Sequence, residues 1–198
     1  GVLLGVLWFK FVPDNPKQSP YVNEAELEHI NDGRENTVEA KEIAPWGKLL
    51  KSSQFWSLGL QFMITDYIMY VFLAWLPLYL MEVHGFSLSK MGLWAAAPWL
   101  SLMAVVSCCG YLSDKAIAAG FSQNLVKTST GAVGILLCAC TLFIATRTAD
   151  PMMNVFWLSV ALGSLGLTMS ASWSSVISMG GRFAGSVSGW MNFWGNIG

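Results

Sequence analysis

One carboxylate stands alone in a long apolar stretch of the sequence. Asp66 is the only charged residue between Ser52 and Met81. If this stretch is helical, Gln61 and Tyr70 lie about one turn before and after it, so the three side chains share a polar strip. Such a carboxylate must face protein or a water-filled cavity rather than lipid. The sequence leaves two interpretations open: Asp66 bonds a neighbouring helix for structure, or it takes part in the chemistry of a cavity.

A second polar group surrounds a tryptophan. Ser170, Ser172, Trp173 and Ser174 lie within five positions of each other, and Ser170, Trp173 and Ser174 share one face of a helix. Small hydroxyl side chains allow helices to approach closely, so packing alone accounts for most of the serines. A large ring with one N–H donor among small residues is typical of a cavity wall or a ligand platform. We therefore expect Trp173 to line a binding site, with core filling as the alternative.

The last stretch carries two stacked amides. Asn192 and Asn196 lie one turn apart in line with Ser188. Each amide costs free energy in lipid unless it finds a partner, so the pair is expected either to bind a polar substrate or to support packing. Glycines also recur every four residues from Gly181 to Gly189, which is typical of a close-packing helix face.

Enzymatic, metal-binding and nucleic-acid-binding functions find no support. The two histidines, His29 and His84, lack the spacing of a catalytic triad or a metal site. The four cysteines lie in apolar runs without a CxxC pair. No basic stripe with interleaved aromatic residues is present, and the net charge is -1. We expect no catalytic activity, no metal, no cofactor and no nucleic-acid partner.

The distribution of charge indicates the kind of protein that positions these side chains. Of the 198 residues, 54% are hydrophobic and 12% charged, against about 25% charged in soluble domains. Fourteen of the 23 charged residues lie between Lys10 and Lys51, which leaves nine for residues 52–198. Charge-free runs of this length favour membrane-spanning helices. The sequence predicts an all-α, polytopic transmembrane helical bundle that meets the lipid bilayer directly.

Prolines, charges and glycines divide the chain. Residues 1–12 are expected to end a membrane helix, and residues 13–54 to form a linker with one short helix after the cap residue Asn23. The C-terminal transmembrane part is predicted to cover residues 55–198, with helices at about 55–81, 91–112, 128–147, 152–178 and 183–198, the last one cut short.

The positions of lysine and arginine predict the orientation. If the linker is cytoplasmic, nine of these residues lie on the inner side, while only Lys90 and Arg147 lie outside. Because positive charges accumulate on the cytoplasmic side, residues 13–54 are predicted to be cytoplasmic. The protein is expected in the inner, or plasma, membrane.

A short motif suggests a family. The segment Gly110, Tyr111, Leu112, Ser113, Asp114, Lys115 resembles the signature of the major facilitator superfamily in its second copy, between the eighth and ninth helices. Two further stretches, residues 82–93 and 182–198, resemble the anion:cation symporter family, which includes bacterial sugar-acid transporters. Residues 55–80 and 22–30 agree with that resemblance, which therefore covers the whole chain.

The resemblance implies a partial major facilitator superfamily fold, running from the end of the sixth helix into the eleventh, that requires an N-terminal half. It implies transport by alternating access, usually driven by protons, with a substrate-binding arginine and coupling carboxylates on the N-terminal half. By position, Gln61, Ser170, Ser172, Trp173 and Asn192 correspond to substrate contacts. Together with Gly110, the residues Asp114 and Lys115 correspond to a cytoplasmic gate.

We accordingly predict proton-coupled uptake of a small organic anion such as a hexonate or hexuronate. The predicted substrate-binding residues are Gln61, Tyr70, Ser170, Ser172, Trp173 and Asn192. Asp66 and Asn196 are predicted to act in coupling or to line the cavity; Asp66 occupies a position where many relatives have a neutral residue. The alternatives are a carrier of another anion (a dicarboxylate, an aromatic acid or a vitamin) and a non-transporting membrane sensor on the same scaffold.

Overall fold

The computed structural model describes residues 1–13, 17, 19–31 and 44–198, in two compact units, Gly1–Ile43 and Ala44–Gly198. In the first unit, helix α1 spans Val2–Phe11 and α2 spans Glu24–Asn31. The Asn23 Oδ1 atom accepts a hydrogen bond from the Glu26 backbone N–H at 2.8 Å, which confirms the predicted cap. Positions 14–16, 18 and 32–43 of the predicted linker lie outside the described residues.

The second unit contains the long helices. Its helices are α3 (Trp46–Leu49), α4 (Ser53–Glu82), α5 (Leu88–Trp94), α6 (Ala96–Ala118), α7 (Gln123–Arg147), α8 (Pro151–Gly180) and α9 (Ala184–Gly195). A 3-10 turn, Gly181–Phe183, joins α8 to α9. Four helical stretches, Ser53–Glu82, Leu88–Ala118, Gln123–Arg147 and Pro151–Gly195, are long and apolar enough to cross a membrane. With no strand among the described residues, the predicted all-α class is confirmed.

Two helix boundaries have clear local causes. Asp150 caps α8, because its Oδ1 accepts the Met153 backbone N–H at 2.8 Å and Pro151 occupies the first helical position. Helix α6 continues to Ala118, past the expected end at residue 112. The charges near its end favour a loop, but alanine and lysine are good helix formers, and the helix ends only before Gly120, whose φ is +98°.

Helix α8 is the centre of the bundle. It contacts α4, α6, α7 and α9, and the side chains of Ala161, Leu162 and Leu165 in its middle are fully buried. Glycine allows the closest approach: a Cβ atom on Gly134 of α7 would lie 2.7 Å from the Ser164 carbonyl oxygen of α8. Such small-residue contacts let helices associate where lipid provides no hydrophobic driving force.

The outward faces of the bundle are apolar. Leu73, Leu100 and Phe143 are each about three-fifths exposed, as side chains in contact with lipid would be. Helix α9 packs through its buried residues Val187 and Met191. The glycine strip from Gly181 to Gly189 lies on another face, where an added Cβ would meet no atom within 4 Å. The predicted close packing along that strip is therefore absent from the described part of the chain.

Candidate functional site

Helices α4 and α8 meet at a hydrogen bond between two of the predicted site residues. Gln61 Nε2 of α4 donates to Ser172 Oγ of α8 at 3.2 Å. The Ser172 hydroxyl in turn donates to the Thr168 carbonyl oxygen at 2.9 Å and is almost fully buried. A Cβ on Gly131 of α7 would lie 3.3 Å from the Gln61 amide nitrogen. Three helices therefore converge on the Gln61 amide, which fixes its orientation.

Two further hydroxyls surround this contact. Thr65 Oγ1 donates to the Gln61 backbone carbonyl at 2.9 Å, and Thr168 Oγ1 donates across the α7–α8 interface to the Gly131 carbonyl at 3.1 Å. Both threonine side chains are fully buried. Buried polar groups with satisfied hydrogen bonds specify one arrangement of the helices around them. The amide oxygen of Gln61 has no hydrogen bond among the described residues, so it is the open acceptor of the cluster.

Trp173 follows Ser172 but points to a different side of α8. Its side chain is 38% exposed, and its ring meets the edge of Phe62 at 6.2 Å between centroids, with the planes at 86°. Phe62 is buried directly after Gln61 on α4. The tryptophan therefore has one edge fixed by the bundle while part of its surface stays open. Ser170, one turn earlier, is half-buried.

The structure does not bring the remaining predicted residues into this cluster. Tyr70 is 53% exposed and makes no hydrogen bond within the described part of the chain. Asn192 and Asn196 are exposed, and each amide donates one turn back along its own helix: Asn192 to the Ser188 carbonyl at 3.0 Å and Asn196 to the Asn192 carbonyl at 2.8 Å. The two asparagines lie one turn apart, and contact of either amide with a substrate stays a prediction.

Asp66 lies between α4 and α9. Its side chain is half-buried, and its Oδ2 atom approaches Gly195 of α9 so closely that a Cβ there would collide with it. Glycine at this position gives the carboxylate room beside the neighbouring helix. Its surroundings are thus protein on one side and an open face on the other, as expected of a cavity-facing acid.

The motif residues lie in the last turns of α6. Asp114 and Lys115 are exposed, and the Lys115 ammonium lies 4.6 Å from the centroid of the Tyr111 ring. An added Cβ on Gly110 would meet no atom within 4 Å. Gly110, Asp114 and Lys115 therefore lie on a helix rather than in a loop. No contact between described residues tests their predicted role in gating.

Sequence reasoning missed the structural role of Lys127. Lys127 is one of the nine basic residues that the sequence places on the inner side, but its side chain is only 9% exposed. Its Nζ donates to the Ser174 carbonyl at 3.0 Å and to the Ser178 hydroxyl at 2.8 Å, both on α8. A cation near the C-terminal end of a helix is also favoured by the helix dipole. The available signal was the lysine directly before an apolar run, one turn inside the helix.

The fold and the arrangement of its helices define a multi-pass α-helical membrane protein. Over residues 1–198 the sequence matches the family described as Major Facilitator Superfamily, and the chain belongs to that family. This confirms the family predicted from the motif at residues 110–115.

Several curated relatives are anion transporters by name. The chain is 30% identical to a "Probable galactarate/D-glucarate transporter" of Bacillus subtilis, covering 100% of this chain and 45% of that protein. It is 27% identical to the "D-galactonate transporter" of Escherichia coli, covering 100% of this chain and 48% of that protein. It is also 27% identical to the "Ascorbate transporter, chloroplastic" of Arabidopsis thaliana, covering 97% of this chain and 35% of that protein. The chain thus spans less than half the length of each of these three relatives.

Replacing Lys127 with methionine tests its structural role. Lys127→Met keeps most of the apolar stem but leaves the Ser174 carbonyl and the Ser178 hydroxyl without their donor. We expect a loss of about 1.5–3 kcal/mol in stability, typical of a hydrogen bond to a charged group, seen as a lower midpoint of thermal unfolding in detergent. Lys127→Arg should recover part of the lost stability. The control is Lys90→Met at an exposed lysine, and equal midpoints for both methionine variants would contradict the role.

Proposed function

We propose that the complete protein is a secondary active carrier, not an enzyme, that takes up a small organic anion such as a sugar acid by alternating access. The observation that carries this proposal is the Gln61–Ser172 contact with Trp173 beside it. The amide oxygen of Gln61, which has no hydrogen bond among the described residues, and the partly exposed indole ring of Trp173 are suited to hydroxyl-rich ligands. Support also comes from the family and from relatives named for galactonate, galactarate and glucarate.

In this proposal, different polar groups bind different parts of the substrate. Gln61 and Ser172 are neutral and fixed by the bundle, so they suit the hydroxyl groups of a substrate. Ser170, Tyr70 and Asn192 add further neutral groups on the exposed faces of α8, α4 and α9. In this proposal the carboxylate of the substrate is held by the N-terminal half of the carrier, which the resemblance implies.

The orientation and the energy source belong to the same proposal. With residues 13–54 in the cytoplasm of a cell with an inner, or plasma, membrane, nine lysines and arginines lie inside and two outside. Proton coupling is assigned to Asp66, with Asn196 one turn beyond Asn192 as a second cavity residue. Asp114 and Lys115 then lie at the cytoplasmic end, where a gate between the two halves would close.

Uptake by the complete protein in proteoliposomes tests the carrier function. We expect saturable uptake of a hexonate or hexuronate that is accelerated by an inward proton gradient. A panel should add galactarate, glucarate, ascorbate, dicarboxylates and aromatic acids, because a best substrate from the last three classes would support the other carriers. Empty liposomes are the control. No saturable uptake of any compound would contradict the carrier and favour a non-transporting sensor.

Trp173→Ala tests the proposed wall of the site. Loss of the ring should weaken substrate binding roughly tenfold, because truncating a tryptophan that contacts a ligand costs more than about 1 kcal/mol and about 1.4 kcal/mol is a factor of ten in affinity. Affinity is measured by isothermal calorimetry on folded protein. Trp75→Ala is the matched control, since Trp75 is 63% exposed on α4 and is assigned no substrate contact. Unchanged affinity in a well-folded Trp173→Ala variant would remove the ring from the site.

Asp66→Asn tests the proposed coupling role. Asparagine keeps the shape of the side chain but cannot carry a proton, so a proton gradient should no longer drive accumulation. Exchange of substrate across the membrane should continue, because it requires no net proton movement. Asp150→Asn is the control, since asparagine also caps a helix and Asp150 caps α8. Gradient-driven accumulation at the wild-type level in Asp66→Asn would contradict the assignment.

A further inference from the structure

Three side chains form a hydrogen-bonded chain at the end of the bundle that carries the α4–α5 and α7–α8 turns. The Nε2 atom of His84 lies 3.2 Å from the Tyr79 hydroxyl. The same hydroxyl lies 3.1 Å from Asn154 Nδ2 of α8. Asn154 is fully buried, and its Nδ2 also donates to the Ala145 carbonyl of α7 at 2.8 Å. The chain thus ties the end of α4 and its following turn to α7 and α8.

The chemistry of the Asn154 amide fixes the direction of its bonds, and the tautomer of His84 sets the direction of the bond to Tyr79. An amide nitrogen only donates, and the Ala145 carbonyl holds Asn154 Nδ2 in place because the amide oxygen would be repelled there. The Tyr79 oxygen therefore accepts a hydrogen bond from Asn154. The proton of the Tyr79 hydroxyl is then free to be donated to His84 Nε2, which can accept it only while that nitrogen carries no proton.

The segment held by this chain has weakened helical bonding. Pro77 lies inside α4 and has no N–H for the carbonyl of Leu73, one turn earlier. Beyond it, α4 runs only to Glu82, and Gly85 with a φ of +64° turns the chain toward α5. The last turn and a half of α4 therefore depend on contacts such as that of Tyr79 with α8.

We propose that His84, Tyr79 and Asn154 form a proton-sensitive latch for the end of α4. With His84 neutral and its proton on Nδ1, Nε2 accepts the Tyr79 hydroxyl proton and the latch is closed. When His84 takes up a proton, Nε2 becomes a donor that faces the Tyr79 hydroxyl, which then loses its acceptor. The latch weakens and the segment after Pro77 opens more often. Histidine as a residue type changes its charge within about pH 5 to 8.

The other charged side chains near this end of the bundle have contacts of their own or are exposed. They are Glu82 on α4, Lys90 on α5, Arg147 on α7 and Asp150 before α8. The Lys90 ammonium lies over the ring of Phe86, at 5.3 Å from its centroid, and Arg147 lies over a ring of its own helix, at 5.3 Å. Asp150 caps α8, and Glu82 is exposed at the last position of α4. The charged residues of α6, Asp114 and Lys115, lie near its opposite end.

Hydrogen–deuterium exchange tests the latch on the complete protein in nanodiscs, without any substrate. Exchange is followed in peptides covering residues 78–86 at pH 5.5 and 7.5, corrected for the intrinsic effect of pH. In the wild type we expect the opening equilibrium of this segment to be roughly fivefold larger at pH 5.5, as for the loss of one net hydrogen bond. Because no transport is measured, the result is independent of the proposed carrier function.

Four variants separate the latch from other causes. His84→Gln supplies an amide oxygen that accepts the Tyr79 proton at any pH, so the segment should stay protected at both pH values. Tyr79→Phe should exchange at both pH values as the wild type does in acid. His29→Gln, at the second histidine of this sequence, and Glu82→Gln should both keep the wild-type pH effect. A pH effect that persists in His84→Gln, or wild-type exchange in Tyr79→Phe, would overturn the proposal.

Discussion

Three hydrogen-bonded contacts along the antiparallel pair α7 and α8 hold the second unit together. Asn154 reaches the Ala145 carbonyl at one end, Thr168 reaches the Gly131 carbonyl in the middle, and Lys127 reaches Ser174 and Ser178 at the other end. In lipid an unpaired polar group has no water to bond, so each contact is costly to break. Between them, Gly134 lets the two backbones approach closely. The candidate site is built on this pair, because Ser172 and Trp173 project from α8.

The links from α8 to its other neighbours differ in kind. Toward α4, the structure shows two side-chain hydrogen bonds, Gln61 to Ser172 and Asn154 to Tyr79. Toward α9 there is apolar packing, with Val176 of α8 in one buried cluster with Val187 and Met191, and the connection passes through Gly181 with a φ of +48°. Contacts without directional bonds allow sliding more readily than a chain of hydrogen bonds does. We therefore expect α7 and α8 to stay together in any rearrangement of the helices.

The sequence was sufficient to predict the features that depend on local composition. Apolar runs, the cap at Asn23 and the motif at residues 110–115 identified the helices and the family, because membrane burial imposes a strong pattern on the chain. The pairing of Gln61 with Ser172 was not predictable in the same way. Both residues were named as candidates, but their contact joins positions 111 residues apart and depends on how the helices pack. The sequence likewise did not connect His84, which it only excluded as a catalytic or metal-binding residue, with Tyr79 and Asn154, because no spacing rule joins these three positions.

Lys127 shows why a count of charges was sufficient for orientation but not for structure. The positive-inside rule needs only the side of the membrane on which a lysine lies, and burial of Lys127 against α8 does not alter that side. The rule says nothing about whether the ammonium meets water, a lipid headgroup or another helix.

For Asp66 the reverse holds, since its position within an apolar helix indicated a protein-facing side chain before any neighbour was known. The neighbour proved to be the backbone at Gly195, so the space for this carboxylate is set by a residue that has no side chain. Substitution of that glycine by any other residue would push the carboxylate from α9 and alter the α4–α9 contact, even though the acid itself is unchanged.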